Sequence, residues 1–482
     1  MRRNGIKYLV LCPLLTGAML SQSTDVLVRR AQEDLQAGRN SQAKEELARA
    51  LDSHPANWTL WCDLGLARIR LGESETAIQA FKRAGRLAPH EARPYFGLGL
   101  SYMNRGEIQS ALQAYSDGLA RNPNDVPANQ NYALLLLQKG DFPNAVETLK
   151  RLKTLQPDNV ATRVTLIDAC LRAGLKNEGK NEIVQLLDAH RANMQEELSL
   201  ATLLLRHRES AAAVEVLRNA ATTWPDAAKP HGLLGLLLLQ AGQYEAAVAE
   251  LGRAAQLDAD SAEYALGLGE ALLRWRHDPV ALQFLLAVQS KFGTVPLYKF
   301  ELGLAYFYLT RYPLAQQEFE NLARERPDSS RVQYLLGGTY QAMGKTDQAE
   351  ECYRKAVALK PDEGSYYITL ASLRKKVNPA DLSEPVRLVQ KALALNPEDQ
   401  EGKLLLATCF LAQGKLTDAQ TLLEAVIARS PDSRAAHVAL ARVYLRQKRM
   451  EDAQQQEAIA AKLEANEQNE VSPWGPGGVE RP

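Results

Sequence analysis

The chain has 482 residues, 46% of them hydrophobic and 24% charged, and its 57 lysines and arginines are matched by 57 aspartates and glutamates. That balance argues against a protein whose main task is to hold phosphate backbones, since such proteins carry a cationic excess. The length predicts two or more globular domains, yet no change of composition marks a boundary.

In chain order, the first predicted element is a targeting segment. Arg2, Arg3 and Lys7 precede an apolar run from Tyr8 to Leu15, and small residues follow at Thr16-Gly17-Ala18 and Ser21-Gln22-Ser23. This basic, apolar, small order is that of a secretory signal. Residues 1–23 are therefore expected to be a signal peptide cleaved near Ala18 or Ser23, or else a short anchor. The run is broken by Pro13 and is too short for a confident membrane span. Leu11 stands where a lipoprotein box ending in Cys12 needs a small residue, and Gly5 where a twin-arginine signal has a large apolar one.

From Thr24 onward one pattern restarts again and again. Units begin at Thr24, Trp58, Ala92, Val126, Val160, Met194, Ala228, Ala262, Pro296, Ser330, Gly364, Gln400 and Arg434, and the first ten are 34 residues long. The unit at Ala92 carries Tyr95, Leu98, Gly99, Tyr102, Gly106, Ala111, Tyr115, Gly118 and Pro123, and the unit at Ser330 carries Gly337, Tyr340, Gly344, Ala349, Tyr353, Ala356 and Pro361. The fifteenth position is Gly at 38, 72, 106, 140, 174, 242, 344 and 414, which suits a left-handed residue ending a helix. Pro55, Pro89, Pro123, Pro157, Pro225, Pro327, Pro361, Pro397 and Pro431 close the units. Small residues, such as Gly99 with Ala111 or Gly303 with Ala315, are expected to let the two helices of a unit approach closely.

This pattern resembles the tetratricopeptide repeat (TPR) family, whose unit is a 34-residue helix-turn-helix. The resemblance implies an all-α fold, a right-handed superhelical solenoid of about thirteen repeats spanning residues 24–467, with residues 468–482 as a disordered tail. A solenoid also explains the missing domain boundary, because each repeat packs only on its neighbours. The unit from Gly364 is two residues longer, and Asn378 to Pro385 is where the insertion belongs. Arg30-Ala31 in the first unit and Gln454-Gln455-Gln456-Glu457 in the last read as polar caps. The units from Val160 to Val295 are the most degenerate, with Gly179 at an Ala position and Arg208 and Arg276 in place of the turn glycine; this stretch is expected to be the softest.

No catalytic signature accompanies the repeats: there is no His-Glu-x-x-His, no Gly-x-Ser-x-Gly and no phosphate loop. The seven histidines are scattered, so they are read as packed or solvated side chains rather than metal ligands. Cys62, Cys170, Cys352 and Cys409 fall in repeats that are not neighbours, and no disulfide is expected. The chain is read as a non-enzyme without cofactor or metal.

In TPR proteins the first helix of each hairpin lines the concave face, and the resemblance carries this over to an apolar groove floor of Phe96, Leu100, Met103, Leu134, Leu137, Leu236, Leu239, Phe300, Leu304, Phe307, Tyr308 and Tyr334. Arg70, Arg172, Arg206, Arg274, Lys376 and Arg446 share the thirteenth position and form a basic row beside it, for which a solvated face is the plainer reading. The fifth position never holds Lys and the ninth never Asn, which excludes a chaperone-tail carboxylate clamp. The implied function is an exported scaffold or adaptor, periplasmic or attached to a bacterial envelope, that binds other proteins or peptide segments and takes no nucleic acid or small-molecule substrate; peripheral membrane association stays open. The alternatives are a substrate-recruiting subunit of an enzyme complex, such as a glycosyltransferase or protease, and an intracellular adaptor with an uncleaved N-terminus. Trp474, between Pro473 and Gly475, is read as part of a plain tail in preference to a docking anchor.

Overall fold

In a computed structural model, residues 22–189 and 192–469 are described, and they form 26 helices and no strand. The targeting segment up to residue 21, His190 and Trp474 lie outside the described residues. The helices pair as hairpins: α1 (Gln22–Gln36) with α2 (Asn40–Ser53), α3 (Trp58–Arg70) with α4 (Ser74–Leu87), α5 (Arg93–Asn104) with α6 (Ile108–Leu119), and α7 (Val126–Lys139) with α8 (Phe142–Leu155). Next come α9 (Val160–Arg172) with α10 (Lys176–Asp188), α11 (Met194–Arg206) with α12 (Ser210–Thr223), and α13 (Ala228–Gln240) with α14 (Tyr244–Leu257). The series continues with α15 (Ala262–Arg274) and α16 (Asp278–Phe292), α17 (Pro296–Tyr308) and α18 (Tyr312–Glu325), and α19 (Ser330–Ala342) and α20 (Thr346–Leu359). It closes with α21 (Gly364–Val377) and α22 (Ser383–Leu395), α23 (Gln400–Ala412) and α24 (Leu416–Arg429), and α25 (Arg434–Arg446) and α26 (Met450–Asn469).

Eleven of the thirteen first helices begin at the residue the periodicity marks, and the other two, α1 and α5, begin within two residues of it. Within each of the two units described below, most helices touch their sequence neighbours and some, more lightly, the next but one, the local contact pattern of a repeat stack. The chain forms two compact units, Met1–Leu237 and Leu238–Pro482, divided inside α13. Each unit has its own apolar layers; in the first, Ala31, Leu35, Ala43, Leu47 and Leu60 form one and Ala111, Leu112, Tyr115, Leu119 and Leu135 another.

The turns inside the hairpins have one shape whatever residue occupies them. All eight predicted glycines have φ between +75° and +83°. Where glycine is replaced, Arg208, Arg276, Thr310 and Lys448 still adopt φ of +59°, +65°, +58° and +64°. L-residues rarely take this conformation, a β-branched threonine least of all, so these four turns are held by the packing of the helices they join. The turn after α21 is longer, residues 378–382, and there two arginines bridge three helices: Arg354 binds Glu350 at 2.9 Å and Glu384 at 2.7 Å, and Arg374 binds both glutamates at 2.9 Å.

The close helix approach differs from expectation in its partner. A Cβ on Gly99 would lie 2.7 Å from the ring of Tyr115, and on Gly303 2.7 Å from Phe319, so the glycine makes room for the aromatic on the second helix and not for Ala111 or Ala315. Gly65 and Gly337 meet Phe81 and Tyr353 in the same way. The last residue of many units caps the helix that follows. Asn57, Asp125, Asn159, Asn193, Ser261, Ser329 and Asp399 each accept a hydrogen bond from the first turn of the following helix, satisfying otherwise orphaned N–H groups. The closing helix α26 runs past Leu463 to Asn469, through the helix-forming Glu464, Ala465, Glu467 and Gln468. Gln454, Gln455 and Glu457 are exposed on it, as a polar cap requires.

Candidate functional site

In the second unit the first helices α15, α17 and α19 enclose a hollow of about 70 Å³. Phe300, Leu304 and Tyr308 line it from α17, one helical turn apart, together with Leu297 and Glu301; Glu270, Leu273 and Arg274 come from α15 and Arg331 from α19. Phe300 and Tyr308 are half-buried, Leu304 is 8% exposed, and Leu297 is 47% exposed at the rim. Arg331 lies over the ring of Phe300, 4.7 Å from its centroid. The edge of Phe300 meets Phe319 at 6.3 Å between centroids.

Glu301 has both carboxyl oxygens buried without a hydrogen-bond partner, in a side chain 2% exposed. It fits because α15 has Gly269 opposite it: a Cβ there would lie 2.5 Å from Oε2. Burial, reinforced by the negative charge of Glu270, pushes its pKa up to about 9, so the group is a neutral acid at pH 7. Glu270 itself pairs with Arg274 at 3.4 Å.

The other predicted groove residues are dispersed. Phe307 packs edge-on against Tyr308 and Tyr312, at 5.9 and 5.7 Å. Tyr334 stacks on Tyr366 at 4.8 Å, and its hydroxyl is 3.0 Å from Thr369 Oγ1. In the first unit Phe96, Met103 and Leu137 are half-buried against the layer around Tyr115, Leu100 is half-buried, and Leu134 is 40% exposed. Leu236 and Leu239 are half-buried on α13. A wider hollow of about 420 Å³ in the first unit, between α6, α7 and α8, contains none of the predicted residues; Tyr132, Asn144, Glu147 and Arg151 line it.

The basic row is exposed throughout, but most of it is engaged within the chain. Arg70 donates to the carbonyl of Leu35 at 2.5 Å and Arg446 to that of Leu411 at 2.6 Å. Each thus caps the C-terminal end of the preceding repeat's first helix, where a cation is favoured. Arg172 pairs with Asp168 at 3.0 Å and Arg274 with Glu270. Arg206 and Lys376 are exposed.

Most described histidines are packed against polar groups: His207 meets Asp168 at 2.8 Å, His437 meets Gln456 at 2.7 Å, and His277 stacks on Trp275. Among the described residues no cluster of three or more His, Cys, Asp or Glu has metal-site geometry, and Cys62, Cys170, Cys352 and Cys409 are buried. No helix among them is long and apolar enough to cross a membrane.

Tetratricopeptide repeat profiles match residues 28–92, 96–160, 198–262 and 233–293, residues 330–363, and residues 381–428 and 410–468. The chain belongs to the tetratricopeptide repeat family. Solved structures similar to this TPR chain include that of Naa15/Naa10 bound to HypK-THB, at 15% identity over 91% of this chain and 68% of that one, with a TM-score of 0.43. The APC/C hetero-tetramer Cut9-Hcn1 is 14% identical over 93% and 94% of the chains, with a TM-score of 0.43. Yeast Tom70 is 13% identical over 94% and 98%, with a TM-score of 0.38. These likenesses concern the fold alone. No match was found among curated proteins.

Proposed function

We propose that this TPR chain is a non-catalytic adaptor that captures a polypeptide segment on its first-helix face, with the α15–α17–α19 hollow as an anchor point. The observation that carries this reading is the convergence of Phe300, Leu304, Tyr308 and the exposed Leu297 around one hollow built entirely from first helices. One buried large apolar side chain contributes roughly 1.5–3 kcal/mol, whereas association costs about 4–15 kcal/mol. The partner must therefore run across several repeats.

A photocrosslinker placed at Leu297 tests the reading in native cells. Mass spectrometry should recover polypeptide adducts whose yield falls at least fivefold in Phe300→Ala, with helical content unchanged. Adducts insensitive to Phe300→Ala, or none at all, would move the binding surface away from this face. The compartment is a separate proposal, export to a bacterial envelope, supported by the basic, apolar, small order of residues 1–23. A mature N-terminus between about Met19 and Thr24 is the expected result; an intact Met1 would make the same adaptor intracellular.

A further inference from the structure

The environment of Glu301 has a counterpart in the first unit. Asp63 on α3 occupies the same place in its repeat as Glu301 on α17, the sixth position, and is likewise 2% exposed. It is satisfied by Arg93, thirty residues on, at the second position of the next repeat. Arg331 stands thirty residues after Glu301 at that same second position. It covers Phe300 instead, and the acid is left turned toward Gly269 with neither oxygen partnered. Within this one chain, then, the sixth-position acid Asp63 takes a guanidinium, and at Glu301 that guanidinium is missing while the residue itself lines a hollow.

We infer that the hollow is a subsite for an arginine side chain of the captured segment, whose guanidinium enters along Phe300 and Leu304 and pairs with Glu301. The inference rests on the adaptor reading and names the chemistry its anchor point selects. Two free carboxyl oxygens match the two-pronged geometry of a guanidinium, which a lysine ammonium does not. The apolar walls at Leu273, Leu297 and Leu304 suit the methylene stem.

The charges facing Glu301 determine the cost. Glu270 and Arg274 from α15 pair with each other, α16 contributes the apolar Leu285, Glu318 on α18 lies near Lys299 on α17, and Arg331 from α19 is the one rim cation facing the site that the structure leaves stacked on a ring. Binding converts Glu301 from acid to carboxylate and releases its proton to solvent. Since the empty site holds that proton up to about pH 9, affinity should rise about tenfold per pH unit between pH 7 and 9 and level off above.

The test uses the full chain and the peptide acetyl-Leu-Ala-Leu-Arg-Leu-Ala-Leu-amide, with citrulline, arginine's uncharged isostere, at the central position as control. Titration calorimetry in two buffers of different ionisation enthalpy should show about one proton released per arginine peptide. The citrulline peptide should bind at least tenfold more weakly at pH 8.5 with no pH dependence, and Glu301→Gln should make the two peptides equal. Should Glu301→Gln fail to fold, the two peptides compared across pH on the unaltered chain still decide. Equal, pH-independent binding of both would overturn the subsite and leave the adaptor reading standing; binding of neither would count against both. Binding of n-butylguanidinium with exclusion of the peptides would make this a small-cation site. Proton release with both peptides that disappears in Arg331→Ala would show that Arg331 itself swings onto Glu301. Either result overturns the proposal.

Discussion

The third and ninth repeats place a phenylalanine at the same fifth position and use it differently. In the third, the Phe96 ring lies directly on Gly118 of α6 and joins the layer around Tyr115. In the ninth, the residue matching Gly118 is Leu322, which is buried and fills that space. Phe300 instead lines the hollow toward α15 and α19. A residue on the second helix thus decides whether an aromatic on the first is hairpin core or groove wall. The sixth position shows the same division, with Asp63 matched to Arg93 and Glu301 unmatched.

The strongest way to break the comparison is Leu322→Gly, which should open a Phe96-like recess under Phe300. Removing a buried leucine costs about 3–5 kcal/mol, seen as early melting of the hairpins around α18, and Phe300→Ala should then lose its effect on capture. Next comes Arg93→Met. Removing one partner of a buried pair leaves Asp63 uncompensated, and burial already pushes that carboxyl's pKa up against the opposing effect of Arg93. A loss of about 3 kcal/mol is expected, the low end for a buried pair because Arg93 is 29% exposed, whereas Glu301→Leu, which removes an acid without a partner, should be neutral or stabilising. Equal losses at the two sites in denaturant unfolding would erase the distinction.

An effect that is smaller for each pH unit follows from titration of Glu301. The folded state holds the Glu301 proton up to about pH 9, well above the ordinary glutamate value, so its stabilising contribution is full in acid and declines as pH rises toward 9. Relative to Glu301→Gln, the unaltered chain should lose up to about 1.4 kcal/mol per pH unit between pH 5 and 9; parallel melting curves across that range would contradict a buried neutral acid. The smallest changes are at backbone positions. Thr310→Gly should relieve a left-handed threonine, and Gly179→Ala, whose new Cβ would sit at an ordinary 3.6 Å from Cys170, should stiffen α10. Each is expected to stabilise by about 0.5–1 kcal/mol, read as slower local hydrogen exchange.

The repeat boundaries, the left-handed glycines and the longer turn after α21 were legible because each is a local backbone requirement that recurs with the period. The site was less so. Phe300, Leu304 and Tyr308 follow from helical spacing, but nothing near them in sequence distinguishes Phe300 from Phe96; the deciding residues, Gly118 and Leu322, lie 22 positions downstream on another helix. Glu301 escaped notice because an acid at the sixth position is ordinary until its partner thirty residues on is seen to face elsewhere. The basic row reads in sequence as a solvated face beside the groove, and its spacing gives no sign that Arg70 and Arg446 close the ends of neighbouring helices. Laying Asp63 and Arg93 over Glu301 and Arg331 in register would have raised the question from sequence alone.

The turn at residues 378–382 has a use in protein engineering. Arg354 and Arg374 hold α20, α21 and α22 together through Glu350 and Glu384, so the geometry of this hairpin depends on side chains outside the loop. Longer than the three-residue turn between α3 and α4, and carrying none of the left-handed residues found in the other turns, it is the point where a reporter or affinity tag can be spliced into the chain with both flanking helices kept in phase.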